Sequence, residues 1–468
     1  MNYFNEIDKY KNSIALVTAK ENFSYKSLID FSNKISTKIK ERSLVMIKCQ
    51  NLFEVFVAYV AFVRLNSVII LVDNNINETN YKKIIEVYKP DYIFQSKNNI
   101  KLNISYNHFN SLGVFELLEN KNKTNTKLND ELSLLVPTSG SMGSVKFVRQ
   151  SYKNTQCNID QVTDSLNINY QDRAITTMPL NYTYGLSIVN SHLYNGSSII
   201  LNNNSLVDKN FWELLEKKQA TNFGGVPFIY EILNKINFNK KIAKSLKYMT
   251  QAGGKLSINL SKKFVNLCKE KNLKFIIMYG QTEASSRMSY LPWKFAESKI
   301  GSIGIPVKNG KFSLIDKDGK TINSDNKTGE LVYEGPNVSL GYAINYLDLN
   351  KSDENNGKLF TGDLAERDKD DFYYITGRLK RISKIFGTRI NLDEVEMLIK
   401  NWGFDCVCVG DDKLIKIFFI NDFNSDEMSD RISKNIGIRK SDISLNKIKV
   451  IPRNHSGKIL YSELNKYV

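Results

Sequence analysis

Apolar residues along the first part of the chain recur with two alternating periods. Leu28, Phe31 and Ile35 follow Ser24 at helical spacing, and Ser24 is suited to capping, so a helix is predicted over 24–40. Short apolar runs at 44–48, 68–72 and 92–94 read as strands. Between them lie an almost wholly apolar helix at 52–65 and an amphipathic helix at 78–88. The polar stretch 121–130 reads as a surface loop. Strands alternating with helices predict a parallel sheet covered on both faces.

The alternation resumes further on. Helices are predicted at 152–166, 187–194, 211–218 and 227–234, the last opened by Pro227, and strands at 173–178, 198–201, 222–226, 248–251 and 275–278. The last two strands each run into a glycine-bearing loop, Gly253-Gly254 and Gly280. Ligands of such sheets bind beyond the carboxyl ends of the strands, so both loops are candidate nucleotide contacts.

From Gly301 the pattern changes. Short strands at 312–315, 330–334 and 372–375 with turns between them suit a small β-barrel. A compact α+β unit then follows: a helix at 392–401, strands at 406–410 and 415–420, a helix at 425–435 and a final strand at 447–451. The domain boundary is placed after Leu379, giving a large domain over 1–379 and a small one over 380–468.

Composition narrows the classes. A chain of 468 residues exceeds one ordinary core, and 42% hydrophobic with 24% charged residues is globular composition. The most apolar run, 56–63, is too short to cross a bilayer and is followed by Arg64. The amino terminus lacks a basic stretch followed by an apolar one, so no signal peptide and a cytoplasmic location are expected. The net charge of +16 comes from dispersed lysines, not a basic block, so no nucleic-acid partner is expected. The five cysteines form no CxxC pair, and Cys406 and Cys408 alternate on one strand face, which suits core packing.

Candidate chemistry begins at Thr138-Ser139-Gly140-Ser141-Met142-Gly143-Ser144-Val145-Lys146, which follows the apolar run 132–136. Gly140 and Gly143 permit close backbone approach. Backbone N–H groups, the hydroxyls of Thr138, Ser139 and Ser141, and the Lys146 ammonium could then face phosphate oxygens. Read alone, the stretch better suits an ordinary Ser/Gly surface loop. Further segments follow it: Tyr279-Gly280-Gln281-Thr282-Glu283, Phe360-Thr361-Gly362-Asp363, Gly377-Arg378, 384–390, and Pro452 to Lys458.

In this order the segments resemble the adenylate-forming superfamily of acyl- and aryl-CoA synthetases, peptide-synthetase adenylation domains and luciferase, over nearly the whole chain. The resemblance implies an α/β fold: a large amino-terminal domain of two doubly wound α/β subdomains plus a small β-barrel, then a small mobile α+β domain. It implies that Tyr279, with Gly280 and Gln281, stacks on adenine, that Thr282 meets the α-phosphate, and that Glu283 ligates Mg²⁺. Gly253, Gly254 and Lys255 would form a second adenine loop. Asp363 would hold the ribose hydroxyls, with Ile375 and Arg378 on the same side. Lys458 would bridge carboxylate, ribose and α-phosphate. Lys380 would be the hinge and Gly387 would lie near the pantetheine tunnel.

The resemblance places an acid pocket at Tyr182, Tyr184, Gly225, Val226 and Gly280; core packing accounts for the two tyrosines equally well. The chain departs from the family pattern at Met142, where relatives usually carry threonine, at Val145, usually proline, and at Tyr182, often histidine. No aspartate lies between Met178 and Gly185, which argues against an ordinary α-amino acid as substrate. The expected activity is ATP-dependent activation of a small-molecule carboxylic acid through an acyl adenylate. The acyl group then passes to CoA or to the phosphopantetheine arm of a separate acyl carrier protein.

Overall fold

The protein is described by a computed structural model over residues 2–98, 105–123, 127–138, 145–385, 388–411, 413–454, 458–464 and 466. It divides into two compact units, residues 1–311 with 334–359, and residues 312–333 with 360–468. The expected boundary after Leu379 falls inside the second unit.

The first unit is built on two mixed sheets. In the eight-stranded sheet, Leu132–Pro137, Val68–Asp73, Leu44–Cys49 and Tyr92–Ser96 are parallel neighbours. Antiparallel strands flank them: Phe147–Ser151 and Gly341–Ala343 on one side, Phe115–Asn120 and Tyr106–Leu112 on the other. The hairpin at 106–120 has no counterpart among the predicted elements. Its outer strand, YNHFNSL, is polar and half-exposed at a sheet edge, so it carries little apolar alternation.

The nine-stranded sheet runs, in spatial order, through Ile305–Pro306, Ser289–Leu291, Lys274–Tyr279, Tyr248–Gln251, Asn222–Gly225, Arg173–Ile175, Ser198–Ile200, Ile14–Val17 and Asn22–Ser24. Ile14–Val17, from the very start of the chain, sits parallel to Ser198–Ile200.

Two helices are buried on nearly every side. Phe53–Arg64 and Thr183–Tyr194 meet through Tyr59, whose hydroxyl donates to Asn190 Oδ1 at 2.9 Å. A helix covered all round needs no polar face, which explains the apolar run at 56–63. The second helix begins at Thr183, a full turn before the predicted Ser187. Its first turn, Thr-Tyr-Gly, looks like loop sequence, but it is pressed onto the preceding segment. A Cβ on Gly185 would stand 2.5 Å from the Pro179 carbonyl oxygen.

Within that helix His192 is buried, its Nδ1 donating to Ile188 O (2.8 Å) and its Nε2 accepting from Asn222 Nδ2 (3.2 Å). Burial holds the imidazole well below its usual 6.5, at about 4, against the weaker opposing pulls of the Ile188 carbonyl and Asp172. Below about pH 6.5 the unfolded chain takes up a proton that the native ring refuses. Stability is therefore full above pH 6.5 and falls by about 3 kcal/mol as the pH drops to 4. Urea midpoints at pH 7 and 4.5 test this. His192→Gln should narrow the gap between them, and an unchanged gap would assign the acid lability elsewhere.

In the second unit, Lys311–Ile315, Gly329–Glu334, Lys358–Arg367 and Tyr373–Arg378 form a four-stranded sheet in the place of the expected small barrel. Its outer strands face each other through the rings of Phe312 and Tyr373, 5.0 Å apart. The carboxy-terminal α+β part packs Leu392–Asn401 and Ser425–Ile436 on the sheet Cys406–Gly410, Ile415–Phe419 and Ile443–Lys447. Cys406 and Cys408 share one core face, and Val407 lies in a cluster on the other. The last strand is Ile443–Lys447, four residues before the predicted 447–451. Ile448 and Ile451 instead leave the strand and fill the Val407–Phe418 cluster.

Candidate active site

Parallel neighbours share an edge at which their carboxyl ends emerge. The pairs Gly225↔Gln251 and Gln251↔Ile277 hold three strand ends level. The loops that follow, Val226-Pro227, Gly253-Gly254 and Gly280 to Glu283, therefore stand side by side. Gly253 adopts a φ of +80°, and a Cβ there would come within 2.4 Å of the Tyr182 hydroxyl and 3.0 Å of Val226. Gly224 passes equally close beneath Tyr184, where a Cβ would stand 2.7 Å from the hydroxyl. Tyr184 is buried and bonds Thr250 Oγ1 at 2.7 Å. Burial pushes the Tyr184 phenol up to about 12, with Arg287 pulling the other way. Tyr182, Tyr184, Gly225, Val226 and Gly253 thus form one wall, with Gly280 on the neighbouring loop. Lys255 follows it on the surface.

Tyr279 ends its strand, and Gln281 Nε2 donates to the Tyr279 hydroxyl at 3.4 Å. Thr282 and Glu283 sit in a single 3₁₀ turn. The turn is held from several sides: Gln150 Nε2 donates to Thr282 O (3.1 Å), Ser339 N to Glu283 O (2.8 Å), and Asn337 Nδ2 to Ala284 O and Arg287 O (both 2.8 Å). Thr282 Oγ1 lies 3.4 Å from Thr183 Oγ1.

Thr138 closes the Leu132–Pro137 strand, and Lys146 opens Phe147–Ser151. Ser139, Gly140, Ser141, Met142 and Gly143 lie outside the described residues, as does Gly387. The structure adds a residue that the motifs did not single out, Tyr342 on Gly341–Ala343. Lys146 Nζ stands 3.5 Å from the Tyr342 ring centroid, and the Tyr342 hydroxyl donates to Glu283 Oε1 at 2.8 Å. Burial, reinforced by the Glu283 carboxylate, pushes the Tyr342 phenol well up, so it keeps its proton and remains a donor. Lys146, Tyr342 and Glu283 form one array linking the start of the Phe147–Ser151 strand to the Thr282 turn.

Beneath this array Arg149, fully buried, fixes the edge strand. It donates to the carbonyls of Tyr342 (3.0 Å), Leu340 (2.7 Å) and Lys351 (2.6 Å) and to the Glu354 carboxylate (2.6 Å). Among the described residues no cluster of three or more His, Cys, Asp or Glu could hold a metal. A single carboxylate, Glu283, beside a lysine and threonine hydroxyls suits a divalent cation whose other ligands are phosphate oxygens and water.

The second unit carries the remaining candidates. Asp363 is buried and faces Arg378 across the paired strands; Arg378 Nε donates to its Oδ1 at 2.8 Å. Ile375 lies two pairs away, opposite Ala365. Lys380 is exposed in the Leu379–Arg381 turn. Its neighbours are anchored to different elements: Arg378 to the Lys358–Arg367 strand, and Arg381 to Asp393 (2.7 Å) and Glu396 (2.5 Å) of the Leu392–Asn401 helix. Lys458 is half-buried; its backbone N–H donates to Asn454 Oδ1 (2.9 Å) and its carbonyl accepts from Asn454 N (2.8 Å).

Two residues of the first unit escape sequence reasoning. Tyr342 is isolated from its partners by sequence distance. Arg287 gave one signal, an arginine within the otherwise small and apolar run 284–291.

A family model described as AMP-binding enzyme matches residues 4–343. Curated relatives include the 2-succinylbenzoate–CoA ligases of Enterococcus faecalis, 28% identical over 58% of this chain and 54% of that protein, and of Bacillus subtilis, 25% identical over 72% and 69%. A 4-coumarate–CoA ligase of Narcissus pseudonarcissus is 28% identical over 72% of this chain and 64% of its own. The matched stretch thus spans roughly half to two thirds of these relatives' length. Among solved structures, O-succinylbenzoate CoA synthetase from Bacillus subtilis in complex with AMP superposes with a TM-score of 0.78 at 20% identity, over 99% of this chain and 98% of that one. ATP-bound MatB from Rhodopseudomonas palustris gives 0.78 at 17% identity, over 100% and 99%. Both share the fold.

Proposed function

The chain belongs to the AMP-binding enzyme family, and on that premise we propose that it is an acid–thiol ligase producing AMP: it joins a carboxylic acid to ATP as an acyl adenylate, then passes the acyl group to CoA. The observation that carries this reading is the Lys146–Tyr342–Glu283 array, set beside Thr282 and the wall of Tyr182 and Tyr184. It provides a cation for polyphosphate, a carboxylate for a metal, hydroxyls for an α-phosphate and a partly polar pocket for an acid.

In the first step a carboxylate oxygen attacks the α-phosphorus and pyrophosphate leaves. Thr138, Ser139, Gly140, Ser141, Gly143 and Lys146 hold the β- and γ-phosphates. Tyr279, Gly280 and Gln281, with Gly253, Gly254 and Lys255, take the adenine, and Asp363, Ile375 and Arg378 the ribose. Glu283 would hold Mg²⁺, which neutralises phosphate charge when bound. Tyr342, by donating to Glu283, keeps that carboxylate aimed. Thr282 and Lys458 stabilise charge at the α-phosphate. In the second step the thiol sulfur attacks the acyl carbonyl and AMP leaves. The small domain, beginning at Lys380, carries Lys458 in for the first step and away for the second, with Gly387 on the thiol path. The separate anchoring of Arg378 and Arg381 supports a hinge between them.

ATP–pyrophosphate exchange over a panel of aliphatic, aryl, hydroxy and amino acids tests the reading, with CoA and an isolated carrier protein then compared as acceptors. Exchange with one acid class and thioester formation on CoA are expected; ATP binding with no exchange for any acid would sink it. Tyr342→Phe should fold normally and raise the Mg²⁺ concentration for half-maximal exchange about 10-fold, the worth of one hydrogen bond to a charged group. An unchanged Mg²⁺ response would remove Tyr342 from the site.

A further inference from the structure

We propose that Arg287 forms an anion subsite in the acid pocket, so that the acid activated by this chain carries a second carboxylate. The inference rests on the reading of the Tyr182–Tyr184 wall as the acid pocket and names the class of acid it takes.

The Arg287 side chain is 1% exposed, and neither its Nε nor its Nη1 has a hydrogen-bond partner among the described residues. Its guanidinium carbon lies 5.4 Å from the centroid of the Tyr184 ring, on the pocket wall. Burial lowers its pKa to about 10, which still leaves it charged at neutral pH. A buried charge with unmet donors is costly unless something pairs with it. An aromatic face offers attraction but accepts no N–H bond in the way an oxygen does. The backbone gives the side chain little freedom to escape, because Asn337 grips the Arg287 carbonyl and the adjacent strand fixes its direction.

The missing partner is therefore an oxygen anion brought from outside. Unmet N–H donors on a charged guanidinium match the oxygens of a carboxylate. The Tyr184 hydroxyl is already committed to Thr250, so the guanidinium beside it is what this wall offers an anion. One charge balances a carboxylate monoanion better than a phosphate dianion. In the proposed reaction the bond-forming carboxylate meets the α-phosphate beside Thr282 and Lys458, which leaves Arg287 for a second one.

The test uses the intact protein. Succinate through suberate, and phthalate, are each compared with their monomethyl esters, by calorimetric binding and by ATP–pyrophosphate exchange. At least one diacid should bind at least 30-fold more tightly than its ester to the wild type. Arg287→Met, which replaces the buried charge by an apolar chain of similar length, should abolish that preference. Arg287→Lys, which keeps the charge but not the fork, should retain part of it and covers the case in which the methionine variant does not fold. Equal binding of diacids and esters by the wild type overturns the inference. So does an equal loss for both in Arg287→Met, which would assign Arg287 to the reacting carboxylate. Diacid-selective binding that depends on Arg287, without exchange, would support the subsite and sink only the ligase reading.

Discussion

Replacing Lys458 by alanine is expected to slow adenylate formation about 10³-fold while leaving ATP affinity and the unfolding transition unchanged. The size follows from the role proposed for it. A donor aimed at charge that develops only in the transition state contributes little to ground-state binding, and removing one costs roughly 10²–10³ in rate. Two bonds from Asn454 hold the Lys458 backbone, and a bridge joins Arg453 to Ile459. The loss should also be confined to one half of the reaction. Given a synthetic acyl adenylate and CoA, Lys458→Ala should form thioester at near the wild-type rate. Single-turnover assays of the two halves separate the cases: a similar loss in both would show a disturbed fold, and no loss in the first would remove Lys458 from the chemistry.

The second large effect is expected at Gly280. A Cβ there would stand 1.7 Å from the Ser286 carbonyl oxygen and 3.0 Å from the Arg287 Cα, both backbone atoms. The turn cannot swing aside. Ser285 and Ser286 already hold φ values of +54° and +113°, and Asn337, Gln150 and Ser339 fasten the residues on either side. Gly280→Ala should therefore cost about 3 kcal/mol of stability and displace Thr282 and Glu283 enough to lower exchange by two orders of magnitude. Gly319→Ala is the control. Its φ of +78° is left-handed, unlike that of Gly280, but a Cβ there meets nothing within 4 Å. That substitution should cost about 1 kcal/mol and leave exchange intact. Denaturant midpoints for the two variants would decide it; equal costs would mean that the Ser286 contact does not demand glycine at 280.

Local pattern carried much of this fold. Strand–helix alternation and glycine at strand ends located Val226, Gly253 and Gly280, because parallel strands bring their carboxyl ends to one edge whatever their order in the sheet. Features that depend on distant partners left no such trace. Ile14–Val17 reads as an isolated apolar run, and nothing nearby says that it joins Ser198–Ile200. Tyr342 is 59 residues from Glu283, and an aromatic after a glycine on a short strand is as well explained by packing. Arg287 was visible only as a charge out of place, and its meaning lies in the partners it lacks. The helix at Thr183 was read one turn late because its first residues suit a loop unless Pro179 presses on them.

The edge strand held by Arg149 also sets an order of events on the ribosome. Its guanidinium reaches the Tyr342 carbonyl across 193 residues of sequence and the Glu354 carboxylate across 205. At about 5–20 residues per second, translation needs on the order of 10–40 s to travel from one to the other. During that interval the Phe147–Ser151 strand is an open edge, and Arg149 lacks the acceptors that justify its burial. The nascent sheet must wait, solvated or guarded by a chaperone, until the chain beyond Glu354 emerges. Slow codons between 151 and 340 would lengthen that exposure, and the yield of folded protein should be more sensitive to them there than after residue 360.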